Sequence, residues 1–316
     1  MRKPPIVFLM GPTAAGKTQM AIDLAGRVDC ELISVDSAQV YRGLDIGTAK
    51  PIFPHHLISI RDPLETYSAV EFAEDAANIC FEICNRGKTP ILVGGSMLYF
   101  RMLLEGFSKI PPVDPGIRRE LEAEGIKNGW AGLHARLSTL DPILASKIHP
   151  NHSRRISRAL EVYYGTGKTL SEWHREGKTT THFANNFEMY RFAITPNDRS
   201  VLHNRIERRF SSMMEEGFLD EVNSLFDRGD LNESLPSLSA VGYRQLWSYL
   251  SKQVSLEEAC SASLSATRQV AKRQLTWLKS FRNLKWICTN DDGSLYSSKN
   301  KGKSEDPIDL IQSFIA

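Results

Sequence analysis

PIVFLMGPTAAGKT, residues 5–18, is the stretch that decides the architecture. Residues 6–10 are an unbroken apolar run of strand length, and residues 19–27 have helix-forming composition. Between them Gly11, Pro12, Thr13, Ala14, Ala15, Gly16, Lys17 and Thr18 spell G-x-x-x-x-G-K-T. The glycines let the backbone wrap closely around an anion with successive N–H groups turned inward. The helix start adds partial positive charge and Lys17 a full one. Thr18 supplies a hydroxyl suited to Mg²⁺. A strand before and a helix after make this a phosphate cradle rather than a glycine-rich turn. The motif requires a phosphorylated ligand without requiring a nucleoside triphosphate.

Outward from the cradle, residues 31–35 form a second buried strand ending in Asp36-Ser37, where ligands meet open α/β sheets. Residues 52–67 read as loop, broken by Pro54 and Pro63. Residues 68–86 have helical periodicity, with Ser68 and Glu71 as a capping box and Gly87 as the stop. A third strand, 90–93, runs into Gly94-Gly95-Ser96, and a helix follows over 97–105. This alternation predicts a parallel sheet flanked by helices, an α/β fold with right-handed crossovers. Residues 107–116 are proline-rich and irregular. Beyond them, helical stretches without a strand predict an all-helical insertion over 119–182, with 1–118 and 183–316 as the core domain. Residues 188–194 return as a strand. Helices are expected from 198 to about 227, broken at Gly217, then over 240–251 and 255–281. A last strand at 284–288, a mobile tail at 289–306 and a short terminal helix complete the chain.

The chain has 316 residues, 41% of them hydrophobic and 24% charged, enough for a substantial core. A net charge of +2 means that any nucleic-acid footprint must be local. Five scattered cysteines argue against a disulfide framework and for a reducing compartment. Cys80 and Cys84, four apart on a helix, lack a second ligand pair and read as packing. No apolar stretch approaches a membrane span, and an early strand leaves no room for a signal peptide. We therefore expect a cytoplasmic protein, monomeric and without membrane contact.

Asp36 is suited either to hold Mg²⁺ or to take a proton from a substrate. The third strand ends in glycines where an ordinary ATPase or GTPase wants an acid, which counts against those classes. Ser96 can hydrogen-bond a ligand or cap its helix. Arg205 and Arg209, four apart on one helical face, can fork an anion or pair with nearby glutamates. Basic residues concentrate at Arg154, Arg155 and Arg158, and again between Glu258 and Asp291, where no acid occurs. There Arg268, Lys272, Lys279 and Arg282 share one helical face. Such a stripe suits a phosphodiester backbone, with Tyr243, Arg244 and Trp277 able to stack on unpaired bases.

Taken together, GPTAAGKT (11–18), DSAQVYRGLDIGTAKP (36–51), GGSMLYFRMLLEG (94–106), RRISRALEVY (154–163), SAVGYRQLW (239–247) and KRQLTWLK (272–279) resemble the tRNA dimethylallyltransferases. The segments fall in that family's order, and the second is far more specific than the cradle. Two departures are visible: Ser96 stands where the family usually has threonine, and Ala15 where it often has serine. The zinc-finger extension of some eukaryotic members is absent. The resemblance implies a P-loop NTPase-like core and transfer of dimethylallyl from dimethylallyl diphosphate to an adenine amine of tRNA. It implies diphosphate on residues 11–18 and Arg209, with Mg²⁺ near Thr18, and catalysis by Asp36, Ser96 and Arg118. It places tRNA on Asp36, Ser37, Ala38 and Gln39, with Gln39 reading the flipped base. The anticodon stem-loop would lie on Arg154, Arg155, Ile156, Ser157 and Arg158, and on Ser239, Ala240, Val241, Gly242, Tyr243 and Arg244. Lys272, Arg273, Gln274, Leu275, Thr276, Trp277, Leu278 and Lys279 complete that surface. The rival readings are a P-loop small-molecule kinase with an arginine lid and an RNA-binding protein with a vestigial cradle.

Overall fold

The computed structural model describes residues 3–177, 183–291 and 306–315. Six strands, β1 (Pro5–Met10), β2 (Cys30–Val35), β3 (His55–His56), β4 (Thr89–Gly94), β5 (Glu188–Pro196) and β6 (Lys285–Thr289), form one sheet in the order β3-β2-β4-β1-β5-β6. Every pairing is parallel. β1 and β4 lie at the centre and are buried on both faces, which is why they read as continuous apolar runs. Alternate residues serve opposite faces. Val7, Leu9, Ile91, Val93, Phe192 and Ile194 pack with α1 (Lys17–Ala25) through Met20, Ala21 and Leu24. Phe8 points the other way, against Phe100 and Phe183.

α2 (Ala69–Asn85) starts on the expected capping box of Ser68 and Glu71, and Gly87 follows its end with φ 76°. α3 (Met97–Glu105) follows β4 directly. The chain divides into two compact units, Glu105–Thr181 and the remainder. The smaller unit contains α4 (Pro115–Asn128), α5 (Trp130–Leu140), α6 (Pro142–Ala145), α7 (Ser153–Thr166) and α8 (Leu170–Arg175). It has its own core of Leu121, Leu133, Leu137, Ile156 and Leu160. The larger unit continues through α9 (Phe183–Asn186), α10 (Arg199–Glu215), α11 (Phe218–Phe226), α12 (Tyr243–Leu250), α13 (Leu256–Leu278) and α14 (Pro307–Ile315). Asp198 caps α10 by accepting from the Ser200 N–H, and Gly217, at φ 97°, breaks α10 from α11. α14 returns Ile308 and Ile311 to the sheet core beside α1.

Two local expectations are corrected. Residues 52–67 include the edge strand β3, whose His55 and His56 pair with Leu32 and Ile33. α13 stops at Leu278, not 281. The Ser280 and Phe281 N–H groups turn back onto the carbonyls of Trp277 and Leu278, and Asn283 takes φ 55° on the way into β6. Lys279 and Arg282 therefore lie beyond the helix, and the stripe predicted for them ends at Lys272. Most of the tail expected to be mobile, 292–305, lies outside the described residues. Among the described residues no helix is long and apolar enough to cross a membrane.

Candidate active site

β1, β2 and β4 are neighbours in the sheet, so the loops leaving their C-terminal ends lie side by side. The first loop is the cradle. Ala14 (φ 60°) and Gly16 (φ 90°) take the left-handed turns that an anion nest requires. Gly11 admits no side chain, because a Cβ there would lie 2.4 Å from the Ile194 carbonyl oxygen. Lys17 is 9% exposed, and its ammonium donates to the Pro12 carbonyl at 2.6 Å. Burial, then the neighbouring Arg209, pull the Lys17 pKa down to about 7, against the pull of Asp36. Arg209, on α10, is lowered by burial and likewise opposed by Asp36. Two buried cations thus face one carboxylate, and the site is short of negative charge. Arg205, one turn earlier, lies against Gly16 and donates to the carbonyls of Asn290 and Asp291, both at 2.8 Å. Of the two arginines that the sequence sets on one helical face, Arg209 turns to the cradle's charge field and Arg205 braces its rim.

The second loop, 36–51, is tied down at both ends. Asp36 Oδ1 accepts from the N–H groups of Ala38 (2.8 Å) and Gln39 (3.3 Å), an Asx turn that fixes the carboxylate. Gln39 accepts from the Ser34 hydroxyl at 2.8 Å and donates to the Thr48 carbonyl at 3.1 Å. Arg209 reaches the same carbonyl at 3.4 Å. Lys50 turns inward, donating to the Tyr41 carbonyl, to Asp45 at 2.5 Å and to the Ser59 hydroxyl at 2.9 Å. Glu221 of α11 accepts from the backbone N–H groups of Asp45 (2.8 Å), Ile46 (2.6 Å) and Gly47 (3.1 Å), and from the Tyr243 hydroxyl at 2.5 Å.

The third loop is Gly94-Gly95-Ser96. A Cβ on Gly94 would sit 2.0 Å from the Val35 carbonyl oxygen, so only glycine lets β4 and β2 end this close. The Ser96 hydroxyl accepts from the Ser37 N–H at 3.0 Å, joining the third loop to the second beside Asp36. Gln274 of α13 joins the third loop to the first. It accepts from the Thr13 N–H and donates to the Gly95 carbonyl, both at 2.9 Å.

The expected RNA surface is redrawn by burial. Tyr243 is fully buried, with its ring edge-on to Phe218 at 5.0 Å, and its phenol is pushed up by burial and by Glu221. It has no face left for a base, which corrects its assignment as a stacking residue. Ile156, Ser157 and Leu278 are also interior, at 0%, 2% and 0% exposure, so their side chains belong to the cores. Gly242, at φ 92°, would drive a Cβ to 2.8 Å from the Phe218 ring and is a packing position. Trp277 is half-buried beneath the Arg101 guanidinium, 4.8 Å from its ring centre. Leu275 packs beside Leu202 and Ile206, and Thr276 donates back to the Lys272 carbonyl. Lys272, Arg273, Lys279, Arg244 and Ser239 are exposed, whereas Ala240 and Val241 are half-buried. Arg268 is ion-paired to Glu207 of α10, so the acid-free stretch of sequence is not acid-free in space.

In the smaller unit Arg154 and Arg155 are exposed. Arg118 and Arg158 converge on the buried carboxylate of Glu161, at 2.8 and 3.0 Å. Arg118 thus belongs to a separate compact unit from Asp36 and Ser96. Sequence reasoning missed Glu221 and Lys50. Lys50 stood inside a recognised motif, but Glu221 carries no local signal, because its backbone partners lie 174 to 176 positions away and Tyr243 22 positions away.

Comparison with known proteins agrees with this geometry. A family model described as IPP transferase matches residues 39–281, and one described as isopentenyl transferase matches residues 4–61. A full-length tRNA isopentenylpyrophosphate transferase from Bacillus halodurans is 38% identical, with a TM-score of 0.68 over 99% of this chain and 96% of that one. The tRNA delta(2)-isopentenylpyrophosphate transferase of Staphylococcus epidermidis is 33% identical, with a TM-score of 0.67 over 99% of both chains. A eukaryotic dimethylallyltransferase that acts on tRNA is 28% identical, with a TM-score of 0.77 over 99% of this chain and 79% of that one. On a cradle, a fixed carboxylate and a family match that spans most of its length, the chain belongs to the IPP transferase family.

Proposed function

We propose that the protein transfers dimethylallyl from dimethylallyl diphosphate to the N6 amine of the adenosine on the 3′ side of the anticodon, in tRNAs reading codons that begin with U. It acts as a cytoplasmic monomer. The observation that supports this best is the pairing of an electron-poor cradle, Lys17 with Arg209, with a single carboxylate fixed at its edge, Asp36. A diphosphate leaving group supplies the negative charge that the cradle lacks. The adenine nitrogen attacks the allylic carbon as the carbon–oxygen bond breaks, and the bonding pair departs with diphosphate. Lys17, Arg209 and the amides of the 11–18 loop stabilise that developing charge. An aromatic amine is a weak nucleophile, so Asp36 orients it and takes its proton. Ser96 and Gln39 hold the loop that carries Asp36.

Mg²⁺ fits the donor chemistry in part. Among the described residues no three His, Cys, Asp or Glu cluster to hold a metal, but Thr18 presents an exposed hydroxyl on the first turn of α1. Mg²⁺ commonly takes few protein ligands and completes its shell with substrate phosphates and water. When bound through Thr18, it would neutralise charge on the diphosphate.

The adenine must leave its stack at a cost of a few kcal/mol, on the order seen for flipped bases. Contacts from Lys272, Arg273, Lys279 and Arg244, and from Arg154 and Arg155 of the helical unit, offset that cost through the phosphate backbone. The test is incubation with radiolabelled dimethylallyl diphosphate and unmodified tRNA, followed by nucleoside analysis. Label in N6-isopentenyladenosine is expected. ATP-dependent phosphorylation of a small acceptor without RNA would replace this reading with a kinase, and tRNA retention without chemistry would leave a binding protein.

A further inference from the structure

Gln274 lies in the stretch whose resemblance assigns it to tRNA, yet its side chain is spent inside the protein. Its oxygen takes the Thr13 N–H and its nitrogen gives to the Gly95 carbonyl, both at 2.9 Å, across 261 and 179 positions of sequence. The fit is specific to glycine. A Cβ on Gly95 would fall 2.4 Å from the Gln274 Nε2, so the second glycine of Gly94-Gly95 is the space the amide occupies. One residue on, Ser96 accepts from the Ser37 N–H at 3.0 Å, and Ser37 adjoins Asp36. A continuous set of short bonds therefore runs from Thr13 in the cradle through Gln274, Gly95, Ser96 and Ser37 to Asp36.

We infer that Gln274 is a positioning residue that sets the spacing between the diphosphate cradle and the Asp36 carboxylate, rather than a contact for RNA. This role rests on the transferase reading above. The two groups act at opposite ends of the bond-making step. The cradle holds the departing oxygen, and Asp36 holds the arriving nitrogen. Nothing else in the described hydrogen-bond set joins loop 11–18 to loop 94–96 through a side chain. Loss of that brace leaves both loops folded but free to drift relative to one another, and misplacement of about 1 Å between reacting groups costs on the order of 100-fold in rate.

The experiment compares Gln274→Met, which keeps length and volume but neither bond, and Gly95→Ala, which displaces the amide while leaving Gln274 in the chain. Each is assayed by single-turnover prenylation of tRNA, by pyrophosphate binding without RNA, and by tRNA binding without donor. Both variants are expected to lose roughly 10- to 100-fold in the single-turnover rate. Pyrophosphate affinity should change only a few-fold and tRNA affinity not at all. An RNA contact would instead lower tRNA affinity in step with the rate, and that result overturns the proposal, as does a Gln274→Met rate within threefold of wild type. Melting temperature is followed throughout. If Gln274→Met does not fold, Gly95→Ala decides by the same criteria. Failure of the wild-type protein to prenylate tRNA would sink the transferase reading and this role with it, a result distinct from a normal wild type with an unaffected variant.

Discussion

At the scale of single residues the site is a balance of charge. Lys17 and Arg209 are buried cations, both disfavoured in their charged state by burial and Lys17 further by Arg209, and Asp36 compensates. For Asp36→Asn the carboxylate shape and the Asx turn survive while the proton acceptor is lost. Turnover should fall by roughly 10²–10⁴-fold, with tRNA affinity changed by less than about threefold, since the turn still holds the loop. Equal losses in single-turnover and filter-binding assays would remove Asp36 from its role as base. Lys17 gives a pH signature. With its pKa near 7 in the free protein, the amine is largely neutral at pH 8. A bound diphosphate favours the charged form, so binding takes up a proton. Pyrophosphate affinity should therefore be greatest below pH 7 and weaken as pH rises through 7 and beyond. Lys17→Ala removes this slope and leaves the ligand's own titration as the baseline. Calorimetry in buffers of different ionisation enthalpy reads the proton directly. These residues were legible because cradle and carboxylate are written in short local strings. Glu221 and Gln274 were not legible in their roles. A helical glutamate or glutamine has the same appearance in sequence whether it faces water or a loop brought to it by the fold.

At the scale of elements, the strands buried on both faces were the easiest to read from sequence. β1 and β4 stood out as apolar runs because they lie at the centre of the sheet and are buried on both faces. β3 did not, since two half-buried histidines at a sheet edge carry no pattern. The end of α13 was misjudged because the apolar residues Phe281 and Leu284 continue past it into the turn before β6. The inward-facing residues of α11 and α12 hold the loop after β2. Glu221 and Tyr243 together anchor the 45–47 backbone. Phe218 fills the space that a side chain on Gly47 would need, 2.0 Å from its ring. Glu221→Ala leaves three backbone N–H groups and a buried phenol without their acceptor. We expect a loss of about 2–4 kcal/mol in urea unfolding, since each unsatisfied buried group costs about 1–3 kcal/mol and water recovers part of it. Proteolysis should accelerate near residues 45–50. Glu221→Gln, which keeps one acceptor oxygen, should lose less. Unchanged unfolding in both would mean that the 36–51 loop is held by Lys50 and Gln39 alone.

At the scale of the whole molecule, a net charge of +2 has to serve a polyanion, so the distribution of cations matters more than their number. The sequence placed Arg268 and Lys272 in one acid-free stripe, one helical turn apart. Folding separates them. α10 brings Glu207 against Arg268, and that pair is already neutral, whereas Lys272 stands exposed on the same helix with no ion pair among the described residues. A cation whose charge is already balanced releases few counterions when phosphate approaches, and an exposed one releases nearly its full share. The two substitutions should therefore differ in a way the sequence alone does not anticipate. Lys272→Gln should lower tRNA affinity at low salt and reduce the slope of log affinity against log salt by about 0.7 to 0.9. Arg268→Gln should leave that slope nearly unchanged, and Glu207→Gln, which frees Arg268, should raise it. Filter binding across about 50–200 mM salt resolves such differences. Equal slopes for Lys272→Gln and wild type would take α13 out of the RNA surface and leave Arg154 and Arg155 of the helical unit to carry it.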